Sequence, residues 1–345
     1  MSSDGALKEF LRFGKRCAFK VLPEGAYLKL LYRIRFGRRL DLRNPQAFSE
    51  KIYCLKSING KLFTSLMQRC YDKVDVRGYI LEKLGEARGE EILNELYGVY
   101  DSPEDIDFDE LPDAFVLKVT QSSGFNIICP DKAKLDREDA VRRLAQWQRV
   151  SANAVNSFEE GYVYNGNPKI CCEKFLSLED GSIPPDMRIY CFNGEPKLFV
   201  CDFETTKIDG THGTDIKRNV YDMDWNLLEV DFGRPRDASI KMAKPAVFEE
   251  MVDIARKLSA DFPFVRVDLY DLSGKIVFGE LTWIPMGGGT ASLILPHLML
   301  SLDRGSSSRV ISGKQESAKS WGTNGQPSFC QPSSFEESVY AFVAW

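Results

Sequence analysis

An α+β fold, with helices gathered toward the N-terminus and antiparallel strand pairs beyond them, is predicted by three features of the 345-residue chain. The first is the stretch FPFVRVDLYDLSGKIVFGELTW, in which apolar and polar residues alternate on either side of a Ser-Gly turn. Period-two alternation broken in this way reads as a β-hairpin. The second is DMRIYCFNGEPKLFVCDFET, two strand-like runs about Asn193-Gly194, a dipeptide suited to a tight hairpin turn. The third is the spacing of apolar groups in LKEFLRFGKRCAF and AYLKLLYRIRF, which is helical and precedes every strand signal.

In chain order, the helical stretch from about Ala6 to Arg39 breaks at Pro23-Glu24-Gly25, and Asn44-Pro45 opens an amphipathic helix through NPQAFSEKIYCLKS. A third helix is expected from Leu62 through Leu84, carrying Asp72, Lys73, Asp75 and Arg77. A short strand follows around Leu96–Tyr100, then an acidic connection. FVLKVT and NIICP are strands joined by the loop QSSGFN, with Lys118 on the first and Ser122, Ser123, Gly124 and Asn126 in the turn. A glycine-containing loop of small hydroxyl residues lets backbone N–H groups approach phosphate oxygens, with the strand lysine as a point charge. Gly-Ser hairpin turns that bind nothing share the pattern.

DREDAVRRLAQWQRV is an amphipathic helix with Leu144 and Trp147 inward, and PKICCEKFL is an apolar strand followed by Glu179-Asp180. VYDMDWN reads as a strand, and KPAVFEEMVDIARKLSADF as a helix with Phe248, Val252, Ala255 and Leu258 along one stripe. After Gly289 a Ser-, Gly-, Gln- and Pro-rich stretch lacks the apolar content to pack and is expected to be a loose tail, with FEESVYAFVAW as a terminal element.

Composition narrows the chemistry. The length suffices for a large core and two or three subdomains. No window approaches the roughly 18–20 apolar residues of a membrane helix. The N-terminus interleaves charge throughout, so no secretory signal is expected and the reading is cytoplasmic. Nine cysteines include no CxxC pair, and Cys129, Cys171, Cys172, Cys191 and Cys201 fall in apparent strands. They read as small buried hydrophobes, not as a disulfide frame or zinc site. With His212 and His297 alone, histidine metal sites and Ser-His-Asp catalysis have almost no material. Net charge is −5, yet Lys8 to Arg43 holds eleven Lys/Arg. A basic segment on an acidic body suits peripheral contact with an anionic membrane or polymer, and equally a solvated helical face.

On the late hairpin, Arg266 and Asp268 share one face of the first strand, and Glu280 and Thr282 one face of the second. If the strands pair through DLSGK, an arginine and two carboxylates converge. Carboxylates held close need a cation between them, and hard oxygen ligands suit magnesium carrying a nucleoside triphosphate. A strand pair with solvated outer charges fits the same pattern.

The order of these parts, a strand lysine, a glycine loop, an apolar strand ending Glu-Lys-aromatic-Leu, then Arg-x-Asp and Glu-Leu-Thr on a late strand pair, resembles the ATP-grasp superfamily. NPQAFSEKI, YDKVDVRGYI, LPDAFVLKV, NIICPDKAKLD, EKFL, YCFNGEPK, RNVYDMDWNLL and FPFVRVDLYDLSGKIVFGELT, spanning Asn44 to Pro285, are similar to its TupA-like members. The resemblance implies a nucleotide held between two α+β subdomains behind a helical basic segment. Its expected divisions are 1–60, the N-terminal α/β portion 61–114, the lid 115–182, the metal-bearing subdomain 183–290, and the tail 291–345. It implies that Lys118 holds the α/β-phosphates under the Ser122–Asn126 loop, that Glu173 accepts from the adenine amino group, and that the backbone of Lys174, Phe175 and Leu176 reads the ring edge. Asp180, with Glu179 as the alternative, would bond the ribose hydroxyls, and Arg188 and the Lys217/Arg218 pair would bring charge toward the γ-phosphate or the acyl-phosphate. Asp268, Glu280 and Thr282 would ligate magnesium, with Arg266 on the transferring phosphoryl group.

The implied activity is an ADP-forming carboxylate–amine ligase of cell-surface polysaccharide synthesis. Its partners would be ATP, a carboxylate-bearing saccharide or peptide-like substrate and an amine. A kinase acting on a sugar or lipid hydroxyl and a non-catalytic nucleotide-binding protein of polysaccharide assembly are the alternatives. Nucleic acid is not an expected partner, since the basic segment lacks a stacking platform. Two departures stand out. Relatives read close to NHGSGGN where this chain has Thr120-Gln121-Ser122-Ser123-Gly124-Phe125-Asn126, and many ligases carry Asn where it has Thr282.

Overall fold

The computed structural model describes residues 14–15, 17–57, 62–151, 168–205, 207, 213–230 and 232–288. The start of the first expected helix, His212, His297, and the tail with its terminal element lie outside the described residues. Helix α1 (Glu24–Phe36) starts after Pro23 and ends at Gly37, whose left-handed φ of 66° lets its N–H reach the Arg33 carbonyl. Helix α2 (Phe48–Leu55) is started by Glu50, whose carboxylate accepts from the N–H groups of Gln46 and Ala47 at 2.8 and 2.9 Å.

The single helix expected over 62–84 is two helices, α3 (Ser65–Tyr71) and α4 (Asp75–Leu84). The break has a local cause. The Asp72 side chain accepts from the N–H groups of Val74 and Asp75 at 2.9 and 3.2 Å, and so starts a new helix where the old one would have continued. Helix α5 (Glu86–Ile92) completes the N-terminal helices.

Two antiparallel sheets follow. The first has the order β1-β4-β2-β3, built from β1 (Leu96–Tyr100), β2 (Phe115–Val119), β3 (Asn126–Cys129) and β4 (Ile170–Lys174). Strand β1 therefore belongs to the sheet of the segment 115–182, although the sequence placed it before that unit. Helix α6 (Arg137–Ser151) covers this sheet with Ala140 and Leu144.

The second sheet has the order β7-β6-β5-β8-β9, from β5 (Asp186–Phe192), β6 (Glu195–Phe203), β7 (Lys217–Tyr221), β8 (Phe264–Leu272) and β9 (Lys275–Thr282). The run VYDMDWN is strand only as far as Tyr221. Asp222 then accepts from the N–H groups of Asp224 and Asn226 and folds the rest into a turn. Helix α7 (Phe248–Ser259) lays its predicted stripe, Phe248, Val252, Ala255 and Leu258, onto one face of this sheet within the main core. The opposite face carries charge. Eight described cysteines are free, and burial pushes the Cys171 and Cys172 thiols up to about 12, as expected of small core hydrophobes. Among the described residues no helix is long and apolar enough to cross a membrane.

That charged face is one continuous row crossing all five strands. Arg218 on β7 donates to Asp202 on β6, with Nη2 and Oδ2 2.6 Å apart, and Arg188 on β5 donates to the same carboxylate. Arg188 also reaches Asp268 on β8 at 3.4 Å. Arg266 holds Asp268 and crosses to Glu280 on β9 at 2.7 Å. The registers Asp202↔Arg218, Arg188↔Asp268, Asp268↔Glu280 and Arg266↔Thr282 put all these side chains on one face. Asp202 is wholly buried and also takes Arg234 at 2.9 Å. Burial alone would raise its carboxyl, but the Arg218 hydrogen bond and the arginine charges outweigh that and hold it below the usual range.

Asp202→Asn leaves the arginines without their common counter-ion and is expected to cost about 3–5 kcal/mol in urea denaturation at pH 7. Because the folded pKa is depressed, this contribution is present above the unfolded value near 4 and is lost as pH falls through the folded value. The gap between parent and variant should therefore narrow in acid. Gly194, at φ 79° in the β5–β6 turn, would place an added methyl 3.2 Å from the Ala260 Cα. Gly194→Ala is expected to destabilise by about 1–3 kcal/mol in the same measurement.

Candidate functional site

A cleft of about 250 Å³ separates the two sheets. Val116, Lys118, Ile128 and Glu173 line it from the first sheet, and Arg188, Asp268, Tyr270, Phe278 and Glu280 from the second. The Ser122–Asn126 loop and the connector Lys174-Phe175-Leu176 close its sides. A smaller recess continues past Lys73 and Glu280 toward Ser123 and Thr282. The cleft thus offers apolar walls suited to a flat ring together with a concentration of charge.

Each charged group is held by its local structure. Lys118 and Glu173 are diagonal neighbours on one face of the β2–β4 pair, where Glu173 is set against Val116, and bond at 2.6 Å. Burial would raise the Glu173 carboxyl, but the Lys118 charge and hydrogen bond together overcome it and lower the pKa. Lys73 stands at the α3–α4 break. Its ammonium donates to the Ser122 carbonyl at 2.5 Å and its N–H to the Thr120 carbonyl at 3.0 Å, so the helical segment grips the glycine loop. Burial lowers the Lys73 pKa, partly offset by the charge of Glu280. Gln121 donates to Asp72 at 3.0 Å and reinforces the same junction. Phe125 stacks flat on Trp147 with ring centres 5.4 Å apart, tying the loop to α6.

On the facing sheet Arg266 is a fork between carboxylates. Its Nε and Nη2 donate to the two Asp268 oxygens at 2.6 Å each, and Nη2 also donates to Glu280 at 2.7 Å and to the Thr282 hydroxyl at 3.0 Å. The Thr282 hydroxyl donates to Glu280 at 2.8 Å. The Glu280 side chain remains 44 % exposed to the cleft, against 9 % for Asp268. Burial pushes the Asp268 carboxyl up to about 6, against Arg266 and Arg188 and with help from the Glu280 charge. Two carboxylates and a hydroxyl make an open hard-oxygen set of the kind magnesium accepts when phosphate oxygens and water complete its shell. Among the described residues no group of three or more His, Cys, Asp or Glu makes a closed metal cage.

Most residues singled out from the sequence border this space: Lys118, Ser122, Gly124, Asn126, Glu173, Lys174, Phe175, Leu176, Arg188, Asp268 and Glu280 line the cleft. Ser123 and Thr282 line the recess beyond it. Four others are not among the lining residues: Arg266 is buried behind the Asp268/Glu280 pair that it bridges, and the other three lie further off. Arg218 is buried on Asp202 and the Phe232 carbonyl, Lys217 pairs with Asp215 at 2.6 Å, and Asp180 accepts from Ser182. Arg218 turns inward because Asp202 is its direct cross-strand partner, and Lys217, its neighbour along the strand, points the other way.

Sequence reasoning missed Lys73, Tyr270 and Phe278 as cleft residues. Lys73 lies inside the YDKVDVR motif, which the sequence reading placed within one continuous helix and gave no role. The Asp-Lys before a second helical start was the available signal.

The family model described as TupA-like ATPgrasp matches residues 47–293. No curated protein matches the chain. Among solved structures, D-alanine–D-alanine ligase from Bacillus anthracis is 16 % identical, with 68 % of this chain and 64 % of that one covered and a TM-score of 0.39. An ADP complex of N5-carboxyaminoimidazole ribonucleotide synthetase is 14 % identical over 65 % of this chain and 47 % of that one, with a TM-score of 0.35. D-cycloserine synthetase DcsG is 14 % identical over 68 % and 72 %, also with a TM-score of 0.35. The chain spans less than two thirds of the length of the first two. With its family match covering most of its length, and its paired antiparallel sheets facing one cleft, the chain belongs to the TupA-like ATP-grasp family.

Proposed function

We propose that the protein is an ATP- and magnesium-dependent carboxylate–amine ligase, releasing ADP, that acts on a carboxylate of a cell-surface polysaccharide precursor or related acidic conjugate. The observation that carries this reading is the meeting, in one cleft, of Lys118 and Lys73 with the Asp268/Glu280 pair that Arg266 bridges. In this reading the adenine ring lies between Val116 and Phe278. Glu173 accepts from its amino group, and the Lys174–Leu176 backbone, which Asn94 steadies by donating to the Lys174 carbonyl at 2.9 Å, reads its edge.

Lys118 would leave Glu173 for the phosphates, which frees the carboxylate as an acceptor. Lys73 is added to the phosphate-binding set, and Asp180 is retained for the ribose. Magnesium held by Asp268 and Glu280, with Thr282 adjoining, would neutralise phosphate charge. A substrate carboxylate oxygen attacks the γ-phosphorus, its bond to the ADP oxygen breaks, and ADP leaves. An amine then attacks the acyl carbon, phosphate departs with the electron pair of the broken C–O bond, and the amine loses a proton. Arg266 and Arg188 stabilise the transferring group, and Arg218 and Arg234 act through Asp202 to hold Arg188. Phosphoryl transfer of this kind asks for position and positive charge, with no protein nucleophile.

Glu280→Gln is expected to lower turnover about 10²-fold or more, read as ADP release dependent on both substrates, with the fold intact by circular dichroism. AMP as the persistent product, or phosphate retained on a product hydroxyl, would overturn the ligase assignment. Lys73→Met is expected to weaken ATP binding by about 1.5–3 kcal/mol, measured by calorimetry with magnesium and a non-hydrolysable analogue. Unchanged affinity would remove Lys73 from the phosphate site.

A further inference from the structure

The outward face of α1 is apolar and basic at once. Leu30 and Ile34 stand one turn apart on it, 41 % and 73 % exposed, and Val21 just before the helix is 79 % exposed. Tyr27, Leu28 and Tyr32, on the other side, are buried in a small core with Leu40 and Tyr53. Around the exposed apolar side chains lie Lys20, Lys29, Arg33, Arg38 and Arg39, all exposed and without an ion-pair partner among the described residues. The acidic groups nearby are already engaged. Glu24 accepts from the Ser57 hydroxyl at 2.7 Å, and Asp41 from the N–H groups of Arg43 and Asn44 at 2.9 and 3.3 Å.

We propose that this face docks on the surface of an anionic lipid bilayer, with Val21, Leu30 and Ile34 entering the headgroup layer and the surrounding cations meeting lipid phosphates. The combination selects the partner. An apolar protein groove would cover Leu30 and Ile34 but strand five cations, and a polyanion in water would neutralise the cations but leave the apolar side chains wet. A lipid interface satisfies both, and a helix lying in its plane with a basic polar border is the form such contacts take. Arg35, also exposed on this helix, donates to the Met286 carbonyl at 3.4 Å, so docking would fix the body of the protein relative to the membrane. The inference stands whether or not the ligase reading holds.

The test is co-sedimentation of the full chain with vesicles of phosphatidylcholine alone and of phosphatidylcholine with phosphatidylglycerol. Binding is expected only to the anionic vesicles and should weaken as salt rises. Arg33→Ala with Arg38→Ala is expected to lower vesicle affinity about tenfold or more. Leu30→Glu with Ile34→Glu should abolish binding while leaving the thermal midpoint unchanged. Absence of binding to anionic vesicles, equal binding to neutral ones, or unaltered binding by the Leu30/Ile34 variant would overturn the proposal. So would conversion of a dimer to a monomer by that variant with lipid binding intact, since a second copy would then be what covers the face.

Discussion

The charge row across the second sheet is the constraint on which the rest of the site depends. Removing an ion from water costs several kcal/mol even after relaxation, so a buried row survives only if each member is satisfied by its neighbours. Here the strand order alternates the signs. Arg218, Asp202, Arg188, Asp268, Arg266 and Glu280 follow one another from β7 to β9, and each carboxylate is met by at least one guanidinium. Planar guanidinium forks suit this task, because they bond bidentately and keep their charge when buried. The row ends at Glu280, the member most open to the cleft. Everything behind it serves to present that carboxylate, with the cationic Arg266 alongside, in a fixed position.

The facing wall is made differently. Its cations arrive from separate parts of the chain, Lys118 from near the end of β2 and Lys73 from a break between helices. The glycine loop between β2 and β3 is held from two sides, by Lys73 through its carbonyls and by Phe125 through Trp147. A loop that must cover phosphates needs backbone freedom near Gly124, which has φ 73°, and anchorage elsewhere so that the freedom stays local. The aromatic stack supplies that anchor, attaching the loop a second time, to α6.

Much of this was legible in the residues and some was not, for physical reasons. The hairpins were readable because Asn193-Gly194 and Ser273-Gly274 both take positive φ, as the tight turns require. The convergence of Arg266, Asp268 and Glu280 needed something that alternation does not reveal. Counted outward from the turn, Leu269 pairs with Phe278, and a regular ladder would set Asp268 against Gly279 and turn Glu280 to the opposite face. A bulge at Gly279 shifts the register by one, so that Asp268 pairs with Glu280. The glycine in mid-strand was the visible trace of it, and an added methyl there would meet the Asp268 carbonyl at 3.1 Å. The inward turn of Arg218 and the place of Lys73 on the cleft were hidden for a related reason. Which way a charged side chain turns depends on cross-strand partners and helix breaks, and spacing along the chain does not encode these.

The N-terminal helices then cease to be an appendage. Beyond Thr282 the chain makes a tight turn at Pro285–Gly288, with Met286 and Gly287 at φ 51° and 58°. Left-handed backbone at a side-chain-bearing residue is costly unless its surroundings hold it. The holding contacts come from far away in sequence: Arg35 of α1 on the Met286 carbonyl, Lys56 after α2 on the Gly287 carbonyl at 3.1 Å, and Arg218 of the charge row against the Met286 sulfur at 3.7 Å. The turn follows directly on the strand that carries Glu280 and Thr282. The first helices, the buried row and the strand end that bears the proposed metal ligands therefore share one mechanical junction. Whatever fixes α1 in place also limits how far that strand end can move.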